Sequence, residues 1–217
     1  MTRPGADQRA GARTTAARKQ RRTRAEQRAE LRQRLLEAVE RLLVDHSFPA
    51  ITIDQILNEA RVSRATFYAN FSDKASLLLE LAQHFIAESS VVATRWWELR
   101  ADCTRDQLEQ ALGGIFDMYL RHKVVEAAIS DAAGYEPNIK KQVLDLQNDA
   151  IAKLTAHIER GQAEGFVDGR LEPAETAGWV IWMIERGLYT MAASAGTART
   201  ARLLKALTDI VWKTLYE

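Results

Sequence analysis

Apolar residues recur at intervals of three and four positions along most of the chain. The clearest stripe lies between residues 24 and 46, and its members are Leu31, Leu35, Leu36, Val39, Leu42 and Leu43. Side chains with this spacing share one face of an α-helix. Alternation with a period of two, the pattern of a half-buried strand, is not sustained anywhere in the sequence. We therefore expect a first helix over residues 24–46, ended by Pro49.

Glycine and proline, which helix interiors tolerate poorly, are scarce in the first half of the chain. After Gly11 no glycine occurs until Gly113, and Pro49 is the only proline in that interval. Further apolar stripes predict helices over residues 73–100, 104–122, 124–133, 136–161, 173–194 and 199–216. Together with two short helices described next, this pattern predicts an all-α fold of about nine helices.

Three candidate N-cap residues follow the first helix within a short stretch. Thr52 is followed three residues later by Gln55, which is the pattern of a capping box. Ser63 and Ser72 each precede another helical segment. The spacing predicts two short helices joined by about three residues and followed by a long helix. This is the outline of a helix-turn-helix unit, whose second helix lies in the major groove of DNA.

The start of the second short helix carries the small and polar side chains that suit contact with base edges. These residues are Ser63, Arg64, Ala65 and Thr66. Tyr68 is a candidate hydrogen-bond donor to a DNA phosphate. The alternative is that it only packs as a half-buried aromatic residue. Lys74 falls in the first turn of the long helix, where the macrodipole disfavours a cation by about 0.3–1 kcal/mol. A nearby phosphate would make the position of the Lys74 cation favourable. Alternatively, the negative charge of the neighbouring Asp73 offsets the unfavourable interaction with the macrodipole.

The formal net charge of +1 conceals a strongly basic N-terminal segment. Residues 1–24 hold eight basic side chains and one acidic side chain, which gives +7 and leaves −6 for the rest of the chain. We expect this segment to be a disordered basic arm that contacts DNA, with Arg21 and Arg22 among its contacts. A solvated tail without a partner and an Arg-rich transit peptide are the alternatives. The segment lacks serine and is poor in apolar residues, which counts against a transit peptide.

Residue patterns that would support catalysis or metal binding are sparse. Cys103 is the only cysteine, which excludes an internal disulfide and a cysteine-based metal site and fits the reducing cytoplasm. The four histidines are widely spaced, and neither a metalloprotease motif nor a nucleophile elbow is present. The glycines at 161, 165 and 169 lack the strand and the Lys–Ser/Thr pair of a phosphate loop, so we interpret them as a helix end and turn. We therefore expect a cytoplasmic protein that is not an enzyme, with no cofactor, no metal and no membrane-spanning segment.

The segment from Val62 to Leu78, VSRATFYANFSDKASLL, resembles the signature of the TetR/AcrR family of transcriptional regulators. That signature is V-S-[KR]-x-[ST]-[FL]-Y-x-[HYN]-F-x-x-K-x-x-L. The resemblance implies a helix-turn-helix DNA-binding domain over residues 25–80 and a helical ligand-binding and dimerisation domain over residues 81–217. It also implies a repressor that binds a palindromic operator as a homodimer and is released by a small molecule.

Individual roles follow from positions in the family motif. The resemblance implies that Arg64, Ala65 and Thr66 face bases, and that Tyr68 reaches a phosphate or a thymine methyl group. The residues that it implies as phosphate contacts are Thr52, Ser63 and Lys74.

Two positions depart from the family pattern. Leu57 stands where the family usually has alanine, and Arg61 stands where it usually has glycine. A glycine in that turn commonly adopts the left-handed conformation, which costs any other residue roughly 1 kcal/mol. Either the turn differs here, or Arg61 gains a phosphate contact that offsets the strain.

The C-terminal part is similar to the branch of the family that contains the mycobacterial ethionamide-resistance repressor. The similarity lies in the run from Trp182 to Tyr189 and in the ending from Trp212 to Tyr216. It implies a cavity for an apolar or aromatic small molecule. The candidate lining residues are Trp96, Trp97, Phe116, Tyr119, Asn148, Trp179, Trp182, Met183 and Glu185. The alternative is a DNA-binding protein that is regulated by a protein partner and whose aromatic residues fill their own interior.

The last two predicted helices are the candidates for a dimer interface. The first carries small and apolar residues, including Ala177, Gly178, Ile184, Gly187 and Leu188, and the second carries the stripe Leu203, Leu204, Leu207, Ile210, Val211 and Leu215. As in the family, we expect these helices to form a four-helix interface between two subunits. The alternative is that both stripes are buried within one subunit.

Overall fold

The computed structural model describes residues 24–217, and its regular secondary structure within that range is entirely helical. The α-helices are α1 (Arg24–Leu42), α2 (Ile53–Ala60), α3 (Arg64–Tyr68), α4 (Lys74–Trp97), α5 (Arg105–Ala132), α6 (Pro137–Glu164), α7 (Pro173–Gly187) and α8 (Thr197–Leu215). A 3₁₀ turn covers Phe48–Ala50, and a π-helical turn, Leu188–Ala192, extends α7. The expected all-α fold is confirmed. Arg21, Arg22 and the rest of the predicted basic arm before Arg24 lie outside the described residues.

Side-chain caps fix the starts of the helices in the N-terminal unit. The predicted capping box of α2 is present, since Gln55 N donates to Thr52 Oγ1 (3.2 Å) and Thr52 N donates to Gln55 Oε1 (2.8 Å). The long helix α4 starts one residue later than predicted. Its N-cap is Asp73, whose Oδ1 accepts a hydrogen bond of 2.7 Å from Ser76 N, and not Ser72. A carboxylate at this position also interacts favourably with the helix dipole.

A first hydrophobic core holds the N-terminal helices together. It combines buried side chains of α1–α3 with the first part of α4 and the end of α5. Its larger members include Leu35, Leu36, Ile56, Phe67, Leu77, Leu78 and Ile129. Leu81 and Val125 also belong to it, so this core extends beyond residue 80, where we expect the first domain to end.

A second hydrophobic core lies at the other end of α4. It is formed by the end of α4, the first part of α5, and helices α6, α7 and α8. Its buried members include Trp96, Leu108, Leu112, Phe116, Leu154, Ile158, Ile184, Val211 and Leu215. Because α4 contributes side chains to both cores, it is a continuous mechanical link between them.

Helix α5 is continuous where the apolar pattern predicts two helices. As a result, residues 24–217 form eight α-helices instead of about nine. The expected break at Lys123 has neither glycine nor proline. Leu112 and Phe116 pack in the second core, whereas Val125 and Ile129 pack in the first. The change of pattern within α5 therefore reflects a change of packing partner and not a break in the helix.

The glycine-rich segment at the end of α6 is a helix end and turn, as predicted. Gly165 has φ 82° and forms the left-handed C-cap of α6. At Gly161 a Cβ atom would lie 2.3 Å from Val167 Cγ2, so the chain can fold back closely only because no side chain is present. Gly169 lies in the following turn.

Two kinds of feature are missing from residues 24–217. No helix there is both long and apolar enough to cross a bilayer. No group of three or more His, Cys, Asp or Glu side chains there is arranged to hold a metal ion.

Candidate functional site

Helix α3 is held by one buried side chain and presents three side chains outward, whereas Thr66 is partly buried. Phe67 is fully buried in the first core, whereas Arg64, Ala65 and Tyr68 are exposed. The Tyr68 ring meets Phe67 edge to face at 5.3 Å and remains 48% exposed. Phe67 therefore anchors α3 in the first core, and Arg64, Ala65 and Tyr68 remain accessible on its outer side.

The polar side chains at the start of α3 form local contacts. Ser63 Oγ accepts a hydrogen bond of 3.1 Å from Thr66 N and lies 2.7 Å from Thr66 Oγ1. Arg64 Nη2 forms an ion pair with Asp54 of α2, and both side chains are more than half exposed. The Ser63 contacts cap the start of α3, and the exposed ion pair links α3 to α2 and leaves the surface polar.

The turn between α2 and α3 has the left-handed geometry that glycine usually provides. Arg61 has φ 53° and ψ 52°, and it is the only non-glycine residue with positive φ among the described residues. The turn is therefore not altered to suit Arg61. Arg34 of α1 donates to the carbonyl oxygens of Ala60 and Arg61, which stabilises the end of α2.

Lys74 does not stand free for a phosphate, which corrects the expectation from its sequence context. Its Nζ donates to the carbonyl oxygens of Phe48 (2.9 Å), Pro49 (3.2 Å) and Ile51 (2.7 Å). An ammonium group has three N–H donors, so these three carbonyls occupy all of them. Burial lowers the pKa of Lys74. The carbonyl oxygens, and not a phosphate, offset the unfavourable position in the first turn of α4.

One polar cluster of the N-terminal unit involves residues that the sequence did not single out. Arg32 of α1 forms an ion pair with Glu80 of α4 and donates to the carbonyl oxygen of Asn70 at 2.9 Å. Its guanidinium carbon lies 4.5 Å from the centre of the Phe71 ring. Arg32 therefore ties the segment after α3 to both α1 and α4. Arg32 lies three and four residues before Leu35 and Leu36, so it falls on the apolar face of α1. A single basic residue on that face was the signal in the sequence, but its partners are revealed only by the fold.

A cavity of about 390 Å³ lies among α4, α5, α6 and α7. Five of the predicted residues line it, namely Trp96, Trp97, Tyr119, Trp182 and Glu185. Further lining residues include Phe85, Met118, Glu126, Gln147, Ile181 and Tyr189. A cavity of this size is typical of sites for small organic molecules.

Four of the predicted ligand contacts lie elsewhere. Phe116 is packed in the second core, and Asn148 is exposed on α6, where its neighbour Gln147 faces the cavity instead. Trp179 is 79% exposed and Met183 is 36% exposed, and neither lines the cavity. On α7 the wall is formed by residues such as Ile181, Ile184 and Glu185, because adjacent positions on a helix differ by about 100° in direction.

Two partly buried carboxyl groups belong to the polar part of the cavity wall, which also includes serines, Gln147, Asp149, Lys153 and Arg186. Glu126 Oε2 accepts a 3.4 Å hydrogen bond from the Tyr119 hydroxyl, and both oxygens of Glu185 accept 2.9 Å hydrogen bonds from Gln147 Nε2. Burial raises the pKa of Glu126 to about 7, and the nearby charges of Glu185 and Asp131 act in the same direction. Burial also raises the pKa of Glu185. Glu126 is not among the predicted cavity residues. The signal for it in the sequence is that it is a single acid within the apolar run of residues 124–129.

Both α7 and α8 carry exposed apolar side chains. These are Trp179, Trp182 and Met183 on α7 and Ile210 on α8, each at least one-third exposed, and we call this set the α7–α8 face. Most of the apolar residues predicted to form the dimer interface pack inside the subunit instead. Ala177, Ile184, Leu188, Val211 and Leu215 are all buried in the second core.

Comparison with known proteins matches two parts of the chain to one family. Residues 35–81 match the model for bacterial regulatory proteins of the tetR family. Residues 108–217, half of the chain, match the model for the C-terminal domain of the transcriptional regulator EthR. EthR of Mycobacterium tuberculosis strain H37Rv is 26% identical over 184 residues, covering 84% of this chain and 85% of that protein.

Solved structures share the fold at lower identity. A transcriptional regulator from Saccharomonospora viridis, in complex with choline, has a TM-score of 0.70 at 19% identity and covers 87% of this chain and 99% of that one. The regulator PfmR from Thermus thermophilus has a TM-score of 0.69 at 17% identity and covers 85% and 100%. The chain belongs to the TetR family of DNA-binding transcriptional regulators, has a C-terminal domain of the EthR type, and is not an enzyme.

Proposed function

We propose that the protein is a ligand-released repressor that binds a palindromic operator as a homodimer. The observation that carries this proposal is the exposed α3, which is anchored by Phe67 and presents Arg64, Ala65 and Tyr68 outward. Exposed small and polar side chains on the second helix of a helix-turn-helix unit are suited to contact base edges.

The contacts with DNA divide into base contacts and backbone contacts. Arg64, Ala65 and Thr66 face the bases, and Tyr68 reaches a phosphate or a thymine methyl group. The ion pair of Arg64 with Asp54 is exposed and therefore weak enough to exchange for a contact with DNA. The backbone contacts come from Thr52, Arg61 and Ser63, and from Arg21 and Arg22 in the segment before α1.

The homodimer forms through the α7–α8 face. Trp179 is 79% exposed, which is unusual for a large apolar side chain unless a partner covers it. Aromatic residues of this kind often dominate the binding energy of interfaces. A two-fold dimer would present two copies of α3 to successive major grooves about 34 Å apart.

The effector binds in the cavity among α4–α7. The wall is mainly apolar and aromatic, which suits an apolar or aromatic molecule. In the Saccharomonospora viridis regulator, the same fold was solved in complex with choline, a small organic molecule. If the aromatic residues filled the interior completely, regulation by a protein partner would be favoured. The cavity of about 390 Å³ supports regulation by a small molecule instead.

The test is selection of DNA from fragments of the source genome with the purified full-length protein. We expect enriched sites with two-fold symmetry and with half-sites separated by about one helical turn. Asymmetric single half-sites would contradict dimeric binding. Failure to enrich any duplex at low salt would contradict the proposed function itself.

A further inference from the structure

The cavity combines an apolar wall with two acidic groups from different helices. Glu126 lies on α5 and Glu185 lies on α7, and both line the same space. Burial raises the pKa of Glu126 to about 7, and the charge of Glu185 acts in the same direction. Two acids facing one apolar space would repel each other and would be poorly solvated if both were ionised.

The protein supplies neutral hydrogen-bond donors to these acids. The partner of Glu126 is the hydroxyl group of Tyr119, and the partner of Glu185 is the side-chain amide of Gln147. Among the described residues, no Lys or Arg forms an ion pair with Glu126 or Glu185.

The basic residues at the cavity have other contacts. Lys153 Nζ lies 2.6 Å from Asp149 Oδ2, so this α6 pair is neutral overall. Arg186 is exposed, and its guanidinium carbon lies 5.8 Å from the centre of the Tyr189 ring. Its charge lowers the pKa of Glu185, but burial has the larger, opposite effect. Helix α4 contributes only apolar, aromatic and serine side chains to the wall.

A cationic ligand would supply the positive charge that the protein does not place next to Glu126 and Glu185. Its charge would compensate the partly buried carboxylates, and its apolar part would occupy the remaining wall. Aromatic side chains that line the cavity, including Trp97, Trp182 and Tyr189, can also interact favourably with a cation. A neutral or anionic ligand would leave the two acids uncompensated or add a third like charge.

We propose that the effector is an amphiphilic organic cation, whose ammonium group lies between Glu126 and Glu185 and whose apolar part fills the cavity. This inference rests on the proposed role of the cavity as the effector site. It goes further by assigning the charge of the ligand and the two residues that select it.

Three ten-carbon probes with different charges test the proposal on the full-length protein. Decylamine is a cation near neutral pH, 1-decanol is neutral and decanoate is an anion. By isothermal titration calorimetry, we expect decylammonium to bind about tenfold or more tightly than 1-decanol, and decanoate to bind most weakly. Equal or tighter binding of either other probe, or no binding of decylammonium, would overturn the proposal.

Substitutions separate charge recognition from the shape of the cavity. Glu126→Gln and Glu185→Gln should each weaken decylammonium binding about tenfold and leave 1-decanol binding unchanged. Glu159→Gln is the matched control, because Glu159 is exposed on α6 and does not line the cavity. An equal loss for both probes would show a general effect on the cavity and would overturn the assignment of the two acids.

The pH dependence gives a second readout. Because the pKa of Glu126 is raised to about 7, decylammonium binding should strengthen as the pH rises from about 6 to 8. Glu126→Gln should reduce that dependence, and an unchanged dependence would contradict the role of Glu126.

An operator-binding assay distinguishes this inference from the proposed function. If 1-decanol binds as tightly as decylammonium and releases the operator, the charge preference is wrong and the effector role stands. If decylammonium binds selectively without affecting operator binding, the charge preference stands and the effector role is wrong.

Discussion

At the scale of single residues, Glu126 shows how burial changes the chemistry of an ordinary side chain. Its carboxyl group lies in the cavity wall with the Tyr119 hydroxyl at 3.4 Å as a hydrogen-bond donor. Removal from water disfavours the ionised form, and the charge of Glu185 adds to the effect. Because a carboxyl group with a raised pKa binds its proton more tightly in the folded state, folding is linked to pH.

Replacement of Glu126 by glutamine should reduce this pH dependence. The pKa rises from the ordinary 4.5 to about 7 on folding, so the stabilising contribution is complete below about pH 4.5 and is lost as the pH rises through 7. At about pH 8, Glu126→Gln should increase the free energy of unfolding by on the order of 2 kcal/mol. Urea denaturation at several pH values measures this, with Glu159→Gln as the exposed control. Equal losses of stability between pH 5 and 8 in the parent and variant proteins would contradict it.

Arg61 has a strained backbone conformation that hydrogen bonds from a neighbouring helix help to hold. Its φ of 53° is a conformation that costs a non-glycine residue roughly 1 kcal/mol. The side chain of Arg34 bonds the carbonyl oxygens of Ala60 and Arg61, which supports the strained turn. The structure therefore explains how the turn is held without requiring a phosphate at Arg61.

At the scale of elements, α3 separates anchoring from recognition within two adjacent residues. Phe67 is fully buried, and its neighbour Tyr68 is 48% exposed. Loss of a buried phenylalanine costs about 3–5 kcal/mol, whereas loss of an exposed side chain usually changes stability by less than about 0.5 kcal/mol. The two positions therefore affect the protein in different ways.

Tyr68→Ala should reduce operator affinity while preserving the fold. We expect a loss of about 1–3 kcal/mol in binding free energy, because the variant lacks a direct contact with DNA. Fluorescence anisotropy with a labelled operator measures the affinity, and urea denaturation measures the stability. Tyr135→Ala is the matched control, since Tyr135 is 53% exposed and lies just before α6. Similar operator affinities for both variants would exclude Tyr68 from the DNA contact.

The second element-scale feature is the division of α7 into two apolar sides. Ile184 and Leu188 are buried in the second core, whereas Trp179 and Met183 are exposed. A helix that is apolar on both sides packs against two partners. One partner of α7 is the rest of the chain, and we attribute the other to a second subunit.

Trp179→Glu should weaken the homodimer. A buried charge in place of an aromatic anchor should cost about 2 kcal/mol or more of dimerisation free energy. Sedimentation equilibrium measures this change. Val91→Glu provides the control, because Val91 is 72% exposed on α4 and lies outside the α7–α8 face. Unchanged dimerisation of Trp179→Glu would show that the interface lies elsewhere.

At the scale of the whole molecule, α4 connects the two cores. Leu77, Leu78 and Leu81 pack in the first core, and Trp96 packs in the second and lines the cavity. The 24 residues of α4 span about 36 Å at roughly 1.5 Å per residue. A ligand that favours a different tilt of this helix would therefore change the position of α3 relative to its copy in the dimer.

This connection predicts reciprocal coupling between operator and effector. Saturation with decylammonium should lower operator affinity by a factor of about 5–150, and the operator should lower decylammonium affinity by the same factor. Anisotropy measures the first factor, and calorimetry with and without operator measures the second. Unequal factors would contradict a two-state linkage, and selective binding of decylammonium without any change in operator affinity would contradict the coupling through α4.

Much of this protein follows from local sequence alone. The capping box of Thr52 and Gln55, the short α3 after Ser63 and the C-cap at Gly165 depend on residues within a few positions of each other. The apolar spacing predicts most helices, because each helix must bury one stripe. The motif around α3 was sufficient to indicate the family, which the comparisons confirm.

Tertiary structure decided the features that depend on distant residues. Lys74 bonds carbonyl oxygens 23 to 26 positions earlier in the chain, and Gln147 of α6 bonds Glu185 of α7. The choice of Gln147 over Asn148, and of Trp182 over Trp179, as cavity residues depends on how α6 and α7 are rotated about their axes. Helical periodicity shows which residues share a face, but when a helix has more than one apolar side, only packing against other helices determines which side encloses the cavity.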